Sequence, residues 1–270
     1  MTDAKPTVAS LVRAGLEARE ARWMLEEYGD DVVALNGALA RRLAGEPLQY
    51  VFGHWPFREL DLDLDERVLI PRPETEELVD VAKKELAASE YAVEPLMLDL
   101  GCGSGAIGFS LLTELSSRGV HARLVALDAS SEALDVAKQN ARKHALHAVS
   151  FVVSDWFVAL DDSFRGRFDL IVSNPPYVSE DEFASLEPVV HYEPRRALVA
   201  RDARGAGGFA DVELIIRDAR DWLAPSGVLV LEHGAAQRSV VLDACERAGY
   251  DEYHDVNDLA GHARILVARR

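Results

Sequence analysis

The 270-residue sequence predicts an α/β fold, a mostly parallel sheet with helices on both faces, preceded by a small helical module and a β-hairpin. Three observations carry that expectation. From about residue 95, short apolar runs alternate with stretches of helical periodicity. A glycine-rich loop, Asp99-Leu-Gly101-Cys-Gly103-Ser-Gly105-Ala-Ile-Gly108, sits where the first of these runs meets a helix. A proline turn, Asn174-Pro175-Pro176-Tyr177, ends a later run.

Residues 7 to about 45 read as helices. Leu11, Leu16, Ala18, Trp23, Met24 and Leu25 recur at helical spacing with Arg and Glu between them. Gly29-Asp30-Asp31 interrupts, Val32 to Leu43 resumes the pattern, and Gly45-Glu-Pro47 stops it. Nothing catalytic lies here, so the segment suits packing or recognition. Residues 51–73 change character. Leu60-Asp-Leu-Asp-Leu-Asp65 alternates with period two, and Val68-Leu69-Ile70 follows as a second strand pattern, together a hairpin between two domains. Pro71-Arg-Pro73 then gives way to Glu74-Thr-Glu76, where carboxylates suit the first turn of a helix.

In the larger part, Leu96–Leu100, Arg123–Leu127, Val149–Val153, Phe168–Ser173 and Val228–Leu231 read as strands, with helices notably at Glu132–His144 and Ala210–Leu223. Nearly continuous apolar strands between helices indicate a parallel sheet buried on both faces. The composition, 49% hydrophobic with a net charge of −17, suits such a protein and is a poor match to polyanionic partners. No apolar run approaches the roughly 18 residues of a membrane span, and the N-terminus lacks the basic-then-apolar pattern of a secretory signal. The two cysteines, Cys102 and Cys245, suggest neither a disulfide framework nor a zinc cluster. A cytoplasmic monomer without metal, membrane or direct nucleic-acid contact is expected.

The glycine loop lets backbone approach a ligand closely, and Asp128, ending the next strand, is placed to accept hydrogen bonds from ribose hydroxyls. This pairing indicates an adenosine cofactor without saying which. Gly103-x-Gly105-x-x-Gly108 also fits the dinucleotide fingerprint, and Asp128 read alone is equally a helix cap. Asp99 tilts the reading toward a cofactor with a cationic amino-acid tail, because a carboxylate there would repel a pyrophosphate. Asn174-Pro-Pro-Tyr177 lies at the carboxyl end of a central strand, where open α/β sheets bind ligands. The Asn174 side-chain oxygen and the Pro175 carbonyl can accept the two N–H groups of an amide and stabilise charge developing on its nitrogen. The prolines stiffen the turn, and Tyr177 offers a flat face. No general base is needed, so His191 and His233 are read as structural. Glu74 and Glu76 are read as first-turn helix residues, with a cofactor-side role as the alternative.

At these residues the chain resembles the bacterial protein-glutamine methyltransferases of the HemK/PrmC family, which modify peptide chain release factors. Glu46-Pro-Leu-Gln-Tyr50, Leu69-Ile-Pro-Arg-Pro-Glu-Thr-Glu76, Ser154-Asp-Trp-Phe157, Tyr192-Glu-Pro-Arg195, Leu231-Glu-His-Gly234 and Asp258-Leu-Ala-Gly-His262 are similar to the family's segments and follow its order. No core motif position departs from the pattern; Ala235-Ala236-Gln237 and Gly205-Ala-Gly-Gly208 look locally variable. The resemblance implies a Rossmann-like class I methyltransferase domain with a seven-stranded sheet over residues 74–270, a hairpin linker at 51–73 and a recognition module at 1–50. It implies that Gly101, Cys102, Gly103, Ser104 and Gly105 wrap the methionine end of S-adenosylmethionine, with S-adenosylhomocysteine as product. Asp128 would hold the ribose, Asp155 and Trp156 the adenine. Asn174 would touch cofactor and substrate, with Pro175, Pro176 and Tyr177 completing the substrate pocket. The implied substrate is the glutamine of the Gly-Gly-Gln loop of class I release factors. A ribosomal-protein glutamine, or less favourably a DNA or RNA amino group, is the alternative.

Overall fold

The computed structural model describes residues 6–88, 94–201 and 207–270. Four helices come first, α1 (Val8–Ala14), α2 (Ala18–Tyr28), α3 (Val32–Leu43) and α4 (Leu48–Phe52). Thr7 and Asp31 cap α1 and α3 through their side chains, at Ser10 N and Ala34 N. The apolar faces of these helices enclose a core of their own around Leu11, Met24, Leu35, Leu48 and Val51.

A hairpin follows, β1 (His54–Phe57) paired antiparallel with β2 (Leu60–Asp63). Its turn residue Arg58 adopts φ 52° and reaches away from the first helices. Its guanidinium pairs with Glu114 and, at 2.7 Å, with Asp80. Val68–Ile70 does not form the strand expected from its pattern. Val68 and Ile70 are buried in alternation, but the backbone between them meets side chains instead of a partner strand. Tyr50 Oη donates to Val68 O at 2.6 Å, and Ile70 N donates to Glu193 Oε2 at 3.0 Å. Pro71 and Pro73 lack the donors a ladder would need, which is why period-two burial exists here without a sheet.

The larger unit holds α5 (Pro73–Ala88), β3 (Leu96–Leu100), α6 (Ala106–Ser117), β4 (Arg123–Asp128), α7 (Ser131–Lys143), β5 (Val149–Val153) and β6 (Phe168–Ser173). After β6 come the short helices α8 (Glu180–Ser185) and α9 (Arg195–Leu198), then α10 (Ala210–Trp222), β7 (Leu223–Glu232), α11 (Arg238–Ala248), β8 (Glu252–Asn257) and β9 (Ala263–Arg269). The seven strands run in the order β5-β4-β3-β6-β7-β9-β8, parallel except for β9, which is antiparallel to both neighbours. Alternate residues of one strand serve opposite faces. Leu170 and Val172 join a core with Leu78, Ile107 and Leu134 of α5, α6 and α7, while Ile171 joins Ile215 and Val241 of α10 and α11. Two-sided burial is the reason these strands read as continuous apolar runs. β8 and β9 were not among the strands read from apolar runs. β8 is a half-exposed edge strand with two charged residues and a histidine among its six, so its pattern is weak.

Candidate active site

The chain order of the sheet reverses at β3, which has β4 on one side and β6 on the other. Ligands bind outside the carboxyl ends of strands at such a point. A cavity of about 370 Å³ opens there, within the size range of cofactor pockets. Of the residues singled out from sequence, Gly101, Gly103, Asp128, Asp155, Trp156, Asn174 and Pro176 line it. Cys102, Ser104, Gly105, Pro175 and Tyr177 are not among the residues that line it.

The glycine loop is shaped by left-handed backbone, φ 70° at Gly101, 54° at Gly103 and 89° at Gly105. Gly105 opens α6, and a Cβ there would lie 2.1 Å from the Phe109 ring. Asp128 braces the loop by accepting from Gly103 N at 3.0 Å, while its other oxygen accepts from Ser130 N at 2.8 Å. Ser130, not Asp128, caps α7, its hydroxyl accepting from Ala133 N, so the helix-cap reading of Asp128 is set aside. Burial raises the Asp128 carboxyl above its ordinary value, opposed by those two N–H groups and by Arg196. Ser104 is buried, and its carbonyl accepts from Asn140 Nδ2 at 3.0 Å. Asp99 is buried outside the cavity, one oxygen accepting from Gly108 N at 2.9 Å and the other without a partner among the described residues. Burial pushes its carboxyl up to about 7. One Asp99 oxygen therefore holds the first turn of α6, and Asp99 is not among the residues that line the cavity.

Asn174 follows β6 directly. Its Nδ2 donates to Thr75 Oγ1 at 3.1 Å, and among the described residues its Oδ1 accepts nothing. Thr75 donates in turn to Glu232 Oε2 at 2.8 Å, and Tyr177 Oη donates to Glu232 Oε1 at 3.0 Å. Burial holds the Tyr177 phenol well above its ordinary range, helped by the neighbouring Glu232 charge. The carbonyl of Tyr177 accepts from Gln237 Nε2 at 3.3 Å, and Gly208 packs so closely that a Cβ would lie 2.1 Å from that oxygen. Gln237 and Gly208 thus clamp the tetrapeptide, although both fall in segments that look variable in sequence; Gly205 and Ala206 lie outside the described residues.

At the cavity mouth Trp156 adopts φ 46°, a conformation unusual for a bulky residue. Its indole N–H donates to Asp211 Oδ1 at 2.9 Å, and its ring would lie 3.5 Å from a Cβ at Gly101. Arg201 joins Asp155 at 2.8 Å to Asp211 at 2.7 Å, so the Asp155 carboxylate is already paired. Sequence reading missed Arg67, Arg196, Arg201 and Asp211 as cavity residues. Arg196 follows the Tyr192-Glu-Pro-Arg195 segment, which was the available signal for it; Asp211 carries none beyond its place in the first turn of α10. His191 packs edge-on against Phe183 on the surface, and His233 is buried against Asp255 at 2.7 Å; neither lines the cavity. Glu76 accepts from Arg58 N at 3.3 Å and faces the hairpin.

The residues present fit an adenosine-type ligand: backbone without Cβ atoms, a carboxylate at the end of β4 and an indole beside Gly101. Comparison with known proteins specifies this further. A family model described as a methyltransferase domain matches residues 96–261. A release factor glutamine methyltransferase of Pasteurella multocida is 38% identical over 237 residues, covering 85% of this chain and 77% of that one. Its counterpart in Burkholderia pseudomallei is 40% identical over 235 residues, covering 85% and 78%. Among solved structures, the hMettl16 catalytic domain in complex with an RNA hairpin shares the fold, with a TM-score of 0.61 at 14% identity over 99% of this chain and 92% of that one. Identity at this level over nearly the whole chain places the protein in the release factor glutamine methyltransferase family, and it is a methyltransferase.

Proposed function

We propose that the chain transfers a methyl group from S-adenosylmethionine to the side-chain amide nitrogen of the Gly-Gly-Gln glutamine in class I release factors, acting as a monomer in the cytoplasm. The observation that carries this reading is Asn174. Its carbonyl oxygen is left free to accept, at the rim of the cavity that Gly101, Gly103 and Asp128 line. When bound, the cofactor supplies an electrophilic methyl carbon on a sulfonium, a leaving group that needs no acid. Gly101 and Gly103 admit it closely, Asp128 accepts from its ribose hydroxyls, and Trp156 flanks its adenine. Cys102, Ser104 and Gly105 hold the loop in shape from behind, Ser104 through its carbonyl on Asn140.

The glutamine nitrogen is a poor nucleophile because its lone pair is shared with its carbonyl. Asn174 Oδ1 and the Pro175 carbonyl accept its two N–H groups, which turns the nitrogen toward the methyl carbon and stabilises the positive charge it acquires. The sulfonium held there would give up its methyl carbon to that nitrogen, with the electron pair of the broken S–C bond kept on sulfur. The methylated amide cation then releases its proton to water. Pro176 and Tyr177 complete the wall beside the substrate. Helices α1 to α4, with the hairpin as linker to the catalytic domain, take the body of the release factor in this reading.

The test is methyl transfer from labelled S-adenosylmethionine to a purified release factor, its Gly-Gly-Gln→Gly-Gly-Ala variant, a ribosomal-protein mixture and duplex DNA. Wild type should label only the intact release factor. Asn174→Ala should lower kcat by about 10²- to 10³-fold, the size expected for losing one preorganised transition-state contact. Label on DNA or on a ribosomal protein instead would overturn the substrate.

A further inference from the structure

Two segments singled out in the sequence, Glu74-Thr-Glu76 and Leu231-Glu-His-Gly234, are left without a role by the methyl-transfer chemistry itself, yet they meet behind Asn174. Thr75 is 3% exposed and Glu232 1% exposed, and neither lines the cavity. Thr75 sits in the first turn of α5, and Glu232 ends β7, the strand paired with β6. We infer that Thr75 and Glu232 are positioning residues that fix which face of the Asn174 amide looks into the cavity, an inference that rests on the proposed role of Asn174.

An ionised carboxylate only accepts hydrogen bonds, and a hydroxyl has one proton to give. Glu232 accepts the hydrogen bond that the Thr75 hydroxyl donates at 2.8 Å and a second from Tyr177 at 3.0 Å. Thr75 Oγ1 is left with lone pairs toward Asn174, 3.1 Å away, so the amide must present its NH2 group there. Its oxygen then faces the cavity. The flipped amide would set oxygen against oxygen and turn NH2 toward the substrate, where it cannot accept an N–H. Buried polar chains of this kind leave one low-energy arrangement, because an unmatched group inside the protein is costly. Burial raises the Glu232 carboxyl and Glu74 adds to this, whereas Thr75, Tyr177 and Arg264 favour its ionised form.

The consequence is specific. Removing the Thr75 hydroxyl leaves Asn174 in place but frees its amide to turn, so turnover suffers and cofactor binding does not. The experiment measures kcat and KM for the release factor, and the Kd of S-adenosylmethionine by titration calorimetry, for wild type, Thr75→Val, Thr75→Ser, Asn174→Ala and the Thr75→Val/Asn174→Ala double variant. Thr75→Val should lower kcat roughly 10- to 100-fold, the loss of one buried hydrogen bond, with the cofactor Kd changed less than about 3-fold. Thr75→Ser should restore most of the rate, and the double variant should be little worse than Asn174→Ala alone, as coupled residues behave. Should Thr75→Val not fold, Thr75→Ala carries the same test. Thr75→Val at wild-type kcat beside an inactive Asn174→Ala overturns the positioning role alone. An Asn174→Ala enzyme that retains full activity overturns the reading of Asn174 on which it rests.

Discussion

The two halves of the cavity are held in different ways. The glycine-loop half is mainly local backbone: three left-handed glycines within five residues, braced by Asp128 and Asn140. The Asn174 half is mainly side chains from afar. Asn174 is oriented by Thr75, 99 residues earlier in the chain, and Thr75 by Glu232, 157 residues later. Tyr177 is tied to Glu232 and to Gln237, 55 and 60 residues on. A backbone cradle resists added side chains through its left-handed backbone and, at Gly105, through the Phe109 ring against which a Cβ would lie. A side-chain relay tolerates size but not a change in the pattern of donors and acceptors. Substitutions that act through volume should damage the first half, and substitutions that act through one hydrogen should damage the second.

The largest effect is expected at Gly105. An alanine there must hold φ near 89° and place a methyl group 2.1 Å from the buried Phe109 ring. Left-handed strain and overpacking together should cost about 4 kcal/mol. Denaturant unfolding of Gly105→Ala should show that loss, along with loss of cofactor binding. A stability within about 1 kcal/mol of wild type would mean that the cradle is soft and that the contrast between the halves fails.

The same contrast explains what could be read in the sequence. Glycines at 101, 103 and 105 announce themselves because only glycine adopts such backbone cheaply, and Asn174 is marked by the strand before it and the prolines after it. Strands β3, β4, β6 and β7 are visible because each is buried on both faces, whereas β5, a partly exposed edge strand, shows only through its apolar residues. Thr75 and Glu232 were not legible as a pair, since nothing local says that the first turn of α5 meets the end of β7. Arg201 and Asp211 stayed hidden for the same reason. Val68–Ile70 misled because alternating burial is necessary for a strand but not sufficient, and the prolines beside it leave the backbone to Tyr50 and Glu193.

The next effect belongs to Asp99 and is read through pH. Burial raises this carboxyl to about 7, from an ordinary 3.8 in the unfolded chain. The fold therefore favours the neutral form. Its contribution to stability is complete below pH 3.8 and is lost as the pH rises through 7. Asp99→Asn keeps an acceptor for Gly108 N and cannot ionise. Stability of the ligand-free variant minus that of wild type should rise by about 1 kcal/mol for each pH unit inside this window and level off above it. The difference cancels the opposite trend of paired carboxylates such as Asp61 and Asp65, whose values lie below the ordinary range. A difference that stays flat from pH 4 to 8 would show that Asp99 is ionised in the folded protein and that the cradle holds a compensating charge.

The smallest effect should come from Tyr177→Phe, and it separates the relay from its surroundings. The hydroxyl gives Glu232 one of the two side-chain hydrogen bonds it accepts among the described residues, yet the ring stays packed against the core under α10, and the Tyr177 carbonyl keeps its bond from Gln237. Thr75 still donates to the other carboxylate oxygen, so the polarity that holds Asn174 survives. Stability should fall by about 1 kcal/mol, the usual net worth of one hydrogen bond, and kcat by less than about tenfold. Turnover and thermal unfolding measured on the same preparation decide the matter. A rate loss as large as that of Asn174→Ala, without a matching loss of stability, would move the phenol out of the supporting network and into direct contact with the reacting amide.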